Sequence, residues 1–318
     1  MKKRVVIVGG GIAGIMAART LRECGITDVA ILEKSRSVGG RLATRRIGEG
    51  KADHGAQFFT VRTKELQRET EEWLRQGWIQ LWYADPYPRY RGTEGMNGLV
   101  KQLAQGLDIH LHTKVEAIEQ TESGFRVQAD NGQEWQAEAV LLTAPAPQAT
   151  ELLGRTGIEV QELDGLAFNP CFVLLATMKQ PTSFPENGHI TENVPQGVER
   201  LVDQQKKGVS KLPVVSVYMK GDWSKEHYAL DEETAAEKIL QLVGPLLGEA
   251  VEAAQLKRWR YAEATGIVRK PFVSAAAEYP LLIAGDAFLH EDDPSGRTRF
   301  ESAFLSGMAA GEELANRL

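Results

Sequence analysis

The pattern Gly9-x-Gly11-x-x-Gly14 constrains this chain more than any other stretch of it. Arg4 to Val8 is a β-branched run bounded by glycine, which predicts a buried strand, and Ala13 to Cys24 predicts a helix that ends at Gly25. Val29 to Leu32 predicts the next strand. The handedness of such crossovers makes the two strands parallel, so this part of the chain is α/β. In that setting the glycines permit a tight turn, close approach of backbone to a pyrophosphate, and close packing of helix on strand. The unpaired N–H groups where Gly11, Ile12 and Ala13 open the helix, and the positive end of its dipole, then face the phosphate. Glu33, nineteen residues after Gly14, ends the second strand and is expected to accept hydrogen bonds from ribose hydroxyls, with Lys34 beside it. The turn alone leaves FAD and NAD both open.

The rest of the composition narrows the class. A chain of 318 residues, 42% hydrophobic and 25% charged, is long enough for two packed units. A net charge of -6 gives no footprint for nucleic acid, which needs clustered Lys and Arg. Cys24 and Cys171 match no disulfide or metal-ligand spacing, and His110 and His112 share a strand face with no third ligand near in sequence, so no metal is expected. Lys2, Lys3 and Arg4 before the apolar stretch Val5 to Ala18 imitate a signal peptide. Four glycines interrupt that stretch, charged residues follow it, and it is shorter than the roughly 20 apolar residues of a membrane span. A cytoplasmic protein without a membrane partner is the expectation.

Further along, the pattern predicts helices over Lys64 to Gly77, Met96 to Gly106, Glu232 to Leu247 and Glu301 to Leu318. Strands are predicted at Ile109 to Leu111, Val115 to Glu119, Phe125 to Ala129, Val140 to Thr143, Phe172 to Met178, Val214 to Met219 and Leu281 to Ala284, with a turn at Asp130-Asn131-Gly132. Glu291-Asp292-Asp293 reads as a solvated loop. Arg297 and Arg299 beside it have two open readings, binding an anionic substrate phosphate or pairing with those acids.

Six residues beyond Glu33 stands Gly39-Gly40-Arg41-Leu42, followed by Asp53-His54-Gly55-Ala56-Gln57-Phe58. Here the chain resembles the flavin-dependent amine oxidase superfamily. The resemblance implies FAD as cofactor, with Gly40 and Arg41 along its diphosphate and Gly55, Ala56 and Gln57 passing the isoalloxazine ring. It extends to Gly95-Met96, to Val115, whose backbone would meet adenine, and to Gly285-Asp286, whose acid would bond the ribityl chain. It also reaches Phe300-Glu301-Ser302-Ala303, the start of a last helix aimed at the flavin pyrimidine, where a helix N-terminus favours the reduced, negatively charged flavin. Ala303, Gly307, Ala310 and Gly311 form a small-residue stripe that fits either tight packing on the first helix or cofactor approach.

Within that superfamily, Gly55 to Phe59, Asn169 to Phe172, Trp259 to Ala262 and Gly285-Asp286 look most like the renalase branch. The resemblance implies oxidation of dihydro isomers of NAD(P)H by hydride transfer to FAD, with oxygen as acceptor. Amine oxidases usually carry a lysine in the mid-chain strand, and Asn169 to Ala176 holds none; no cysteine lies near the C-terminal motif, so FAD should be non-covalent. Orienting a dihydropyridine needs stacking surfaces, for which Tyr90, Trp223, Trp259 and Tyr261 are the candidates. An amine or amino-acid oxidase and a flavin-binding sensor without turnover are the rival readings. The expected architecture is a glutathione-reductase-type, Rossmann-like FAD-binding domain from residues 1–60, 95–158 and 264–318, with a smaller mixed α/β substrate domain from 61–94 and 159–263.

Overall fold

The computed structural model describes residues 1–293 and 295–318. Strand Lys2–Val8 lies at the centre of an eight-stranded sheet, parallel to Val29–Leu32 on one side and to Glu134–Leu142 on the other. Asp108–His110 and Leu281–Ile283 extend the parallel core outward, and Val115–Thr121, Gly124–Ala129 and Val273–Ser274 add antiparallel partners. The central strand is buried on both faces, which is why Val5, Val6 and Ile7 form an unbroken apolar run rather than an alternating one. Connections leave its neighbours in both directions, so the crevice at its carboxyl end is the place where such a sheet binds ligand.

The first helix, Ile12–Glu23, packs against the C-terminal helix Phe300–Arg317. A Cβ on Gly307 would come within 2.2 Å of the Ala13 carbonyl oxygen, and one on Gly311 within 2.8 Å of that of Ala17. The small-residue stripe is therefore a close helix-helix contact. Leu66 and Trp73 of helix Lys64–Arg75 bury into the same core, where Trp73 meets Phe59, Phe300 and Phe304.

A second, antiparallel sheet runs in the order His189–Ile190, Val198–Asp203, Val214–Met219, Phe168–Met178 and Val251–Ala264. Helix Glu232–Leu247 covers one face through Ile239 and Val243. The other face, Val173, Leu175, Val214 and Tyr218, rests on Ile47 and Ala52 of the hairpin Thr44–Ile47 and Gly50–Asp53.

Most of the expected elements occur, with shifted ends. Strand Glu134–Leu142 begins six residues before its predicted start, because Trp135 and Ala137 alternate inward while pairing with Gly124–Ala129. Strand Val251–Ala264 went unpredicted: it is an edge strand with Glu252, Arg258, Arg260 and Glu263 at exposed positions, so its pattern lacks an apolar run. Helix Ala146–Gly154 and the hairpin Ile79–Ala84 with Pro88–Gly92 were likewise unpredicted. Among the described residues no helix is long and apolar enough to cross a membrane, and none of the His, Cys, Asp and Glu side chains forms a group that could hold a metal ion. His110 instead sits with Nε2 3.2 Å from an Asp108 carboxylate oxygen and packs edge-on against Trp135.

Candidate active site

The glycine turn opens on a cleft of about 2120 Å³ that runs between the two sheets. That is at least twice the volume of an ordinary small-molecule pocket, enough for a dinucleotide and a second ligand. Gly9 has φ of +114°, and the Thr143 hydroxyl donates to its carbonyl at 3.0 Å. A Cβ on Gly14 would lie 2.1 Å from the Gly9 oxygen, so Gly14 seats the helix on the turn and does not itself reach the cleft wall. A Cβ on Gly11 would meet nothing within 4 Å, because the space beside it is the cleft. Gly11 is also the helix N-cap and has no capping side chain, so the first-turn N–H groups are left for a ligand. This cradle, bare of side chains at a helix N-terminus, fits a diphosphate.

Glu33 stands at the next strand end with both carboxylate oxygens engaged, accepting from Gly10 N–H at 2.8 Å and Ser35 N–H at 2.7 Å. Those bonds aim the carboxylate and leave lone pairs for hydroxyl donors. Lys34, Leu42, Val115 and the Gly40 turn, with φ of +51°, complete this end of the wall.

Arg41 and Asp286 were expected at separate points of the cofactor. The structure joins them: Arg41 donates from Nη1 and Nη2 to the two Asp286 oxygens at 2.7 and 2.6 Å. Gly55 passes so close beneath that a Cβ there would lie 1.9 Å from the Arg41 carbonyl oxygen. The C-terminal helix also differs from expectation. Glu301 is fully buried and accepts from the N–H groups of Arg62 and Thr63 at 3.0 and 2.8 Å, so it ties that loop to the helix. Ser302 lies off the cleft wall, its hydroxyl accepting from Arg299 N–H and donating to the Asp286 carbonyl, whereas Glu301 and Ala303 do line the cleft. Asp293 is not solvated as predicted: it is held by Arg299 at 2.7 Å with side chains 7% and 14% exposed. Arg299 thus takes the pairing reading, and Arg297 lines the cleft.

Of the aromatic candidates, Trp259 and Tyr261 are on the wall. Trp259 stacks on His54 with centroids 5.3 Å apart and donates its indole N–H to the His54 carbonyl at 2.5 Å. Tyr90 and Trp223 are not on it. Tyr90 packs on Phe59 in the core of the first sheet, and Trp223 stacks on His227 under the second. Aromatic residues fill cores as readily as they line sites, and the sequence gives no signal that separates the two.

Sequence reasoning missed a buried polar network directly behind the wall. Lys207 and Asp53 are both fully buried and pair at 2.7 Å. Lys207 also donates to Gln57 Oε1 at 2.7 Å, which accepts in addition from Gln204 at 3.0 Å. The Tyr218 hydroxyl, on the cleft wall, donates to the Gly55 carbonyl at 2.8 Å. Burial pulls the Lys207 ammonium below its usual range against the pull of Asp53, and pushes the Tyr218 phenol well up. Asp53, Gln57 and Lys207 together clamp the Gly55-Ala56-Gln57-Phe58 segment onto the second sheet. In sequence Lys207 is the second lysine of a polar run and looks solvated.

The wall is cationic although the chain is acidic. Among the described residues, fourteen Lys and Arg line the cleft against seven Asp and Glu. Five of those acids already hold a cation within 4.0 Å: Asp286, Glu301, Glu199, Glu116 and Glu151.

A Rossmann-like α/β sheet with a glycine cradle opening on a cleft this large defines a dinucleotide-binding protein, and the match of a family model to most of the chain shows that it belongs to the flavin-containing amine oxidoreductase family. The family described as Flavin containing amine oxidoreductase matches residues 71–314, and NAD(P)-binding Rossmann-like domain matches residues 7–73. FAD is its cofactor. Within the family it is similar to renalase from Mus musculus, 24% identical over 323 residues that cover 91% of this chain and 94% of the relative. Two solved structures share the fold. A protein of Exiguobacterium sp. 255-15 described as a protoporphyrinogen oxidase superposes with a TM-score of 0.72 at 15% identity over 99% of each chain. A putrescine oxidase redesigned in cofactor binding does so with 0.70 at 14% over 100% of each.

Proposed function

We propose that this enzyme oxidises dihydro isomers of NAD(P)H, which are anionic dinucleotides, and not amines. The observation that carries the reading is the charge of the cleft. An amine substrate is a cation at neutral pH and is drawn to free carboxylates. Here most of the acids are engaged, while Arg36, Arg45, Arg46, Arg62, Arg89 and Arg260 have no ion-pair partner among the described residues. Such a wall draws in and concentrates anions. Similarity to renalase along nearly the whole chain supports the same reading.

When bound, FAD would supply a two-electron acceptor for the hydride of a dihydropyridine, with oxygen as the terminal acceptor. The chain's own part is to bind and orient. Gly9, Gly11, Ile12, Ala13, Gly40 and Arg41 would hold the diphosphate, with Gly14 supporting the turn from behind. Glu33, Lys34 and Val115 would meet the adenosine end, and Gly55, Ala56, Gln57 and Phe58 the ring. Gly285, Asp286, Glu301 and Ala303 close the far side, with Ser302 supporting them. Trp259 and Tyr261 offer stacking faces for the substrate ring, fixing the donor carbon against the flavin. Burial pushes the Cys171 thiol, the cysteine on this wall, up to about 12, and because no cysteine lies near Gly285-Asp286 we take the flavin to be bound without a covalent link.

We assign residues 1–60, 95–158 and 264–318 to the FAD-binding unit and 61–94 and 159–263 to the substrate unit, and place the enzyme in the cytoplasm. The test is which reductant bleaches the bound flavin without oxygen: a 2- or 6-dihydro isomer of NAD(P)H supports the reading, and a primary amine overturns it.

A further inference from the structure

Gln255, Lys257 and Trp259 are alternate residues of the edge strand Val251–Ala264 and so share one face. That face meets the hairpin strand Thr44–Ile47 and the loop after Asp53. Arg45 Nε donates to Gln255 Oε1 at 3.2 Å, and His54 stacks on Trp259. Lys257 stands between these two contacts. After partial burial, the field of Arg45 and then of Arg36 pulls the Lys257 ammonium below its usual range, with Glu232 opposing them. His54 is held down to about 4 by burial first and then by Lys257 and Arg45.

Arg36 from the loop after Glu33 and Arg45 from the hairpin thus stand on the cleft wall, and Lys257 from the second sheet lies beside the Arg45–Gln255 and His54–Trp259 contacts, near enough to feel the field of both arginines. Among the described residues none of the three is in an ion pair. Arg36, Arg45, His54 and Trp259 are on the cleft wall. Like charges brought together repel, Glu232 offsets this only in part at Lys257, and a bound anion relieves the rest. Neither the Arg45 hairpin nor the Lys257 strand belongs to the Gly11 and Gly40 cradle that fits the cofactor diphosphate.

We infer that Arg36, Arg45 and Lys257 form a second anion subsite, which takes a phosphate of the dinucleotide substrate. This rests on the dihydro-NAD(P) reading for the identity of the anion. Trp259, beside the subsite, would place the reactive ring next to the gripped phosphate.

The test compares the FAD-loaded wild type with an Arg45→Gln, Lys257→Gln double variant in two measurements. First, anaerobic flavin reduction is followed with the dihydro isomers of NADPH and with the matching dihydronicotinamide ribosides, which lack phosphate. The ratio of KM values, dinucleotide over riboside, should rise about ten-fold in the variant, the effect of losing charge-assisted contacts at a partly exposed site. Arg45→Lys with Lys257→Arg should restore most of it. An unchanged ratio overturns the subsite, since general damage would move both KM values alike. Second, inorganic pyrophosphate is titrated calorimetrically into each holoenzyme. Saturable binding in the wild type that the double variant lacks supports the subsite even if no dihydropyridine reduces the flavin, in which case only the substrate reading fails. Absence of saturable binding in the wild type, or equal binding in both proteins, overturns it.

Discussion

Arg41 grips Asp286 across 245 residues of chain, two N–O contacts of 2.7 and 2.6 Å joining the glycine-rich N-terminal segment to the strand end near the C-terminus. The side chains are 30% and 13% exposed, on the wall of the cleft. Removing either partner has unequal consequences. Arg41→Ala leaves an unpaired carboxylate facing an anionic cofactor and should weaken FAD binding roughly ten- to a hundred-fold. Asp286→Asn leaves the guanidinium available to the diphosphate and should weaken it much less. A double-mutant cycle on FAD affinity measures the coupling, and equal effects of the two single changes contradict this assignment.

Gly11 and Gly14 separate cofactor binding from folding. Gly11 has φ of -75° and ψ of 179°, which valine adopts freely, and its Cβ would enter the cleft. Gly11→Val should leave the apoprotein's thermal midpoint nearly unchanged and abolish FAD uptake. Gly14→Ala drives a methyl against the Gly9 oxygen and should destabilise the apoprotein by about 1–3 kcal/mol. Calorimetry of the apoprotein with FAD titration checks both.

The buried Lys207–Asp53 pair gives a third expectation. Lys207→Met strands the Asp53 charge in the interior and should cost about 3–5 kcal/mol in urea unfolding. Adding Asp53→Asn removes that charge and should recover part of the loss. A double variant less stable than Lys207→Met alone contradicts the pairing.

His54 and His189 set an acid limit. Burial is the largest cause that holds each at about 4, against an ordinary 6.5. The unfolded chain therefore binds more protons than the folded one between those values. Their contribution is fully present above pH 6.5 and is lost as pH falls toward 4, with a slope of at most about 1.4 kcal/mol per pH unit for each histidine. Unfolding free energy measured from pH 7 to 4 should show this slope, and His54→Gln with His189→Gln should flatten it.

The parts that the sequence made legible are local ones. The strand, turn and helix around Gly9 to Gly14 follow from steric rules acting over a few residues, and Glu33 follows from the length of one crossover. Strand Val251–Ala264 was hidden because an edge strand keeps its charges, and with it the placement of Lys257. Arg41 with Asp286, and Lys207 with Asp53, meet only after long-range folding, so no spacing rule reports them. Tyr90 and Trp223 fall outside the cleft wall for the same reason: which face of an aromatic residue becomes core is settled by its neighbours in space.

The central claim is the identity of the reductant, and anaerobic stopped-flow mixing at the flavin absorbance band tests it most directly. The FAD should be bleached rapidly by 2- or 6-dihydro isomers of NAD(P)H and only slowly by ordinary 4-dihydro NADH or by amines. The donor carbon must lie about 3 to 3.5 Å from the accepting atom, and each isomer held by the same contacts presents a different carbon there. Admission of oxygen should restore the yellow colour with formation of hydrogen peroxide. Rapid bleaching by a primary or secondary amine, with the dihydropyridines inert, contradicts the claim and makes this chain an amine oxidase.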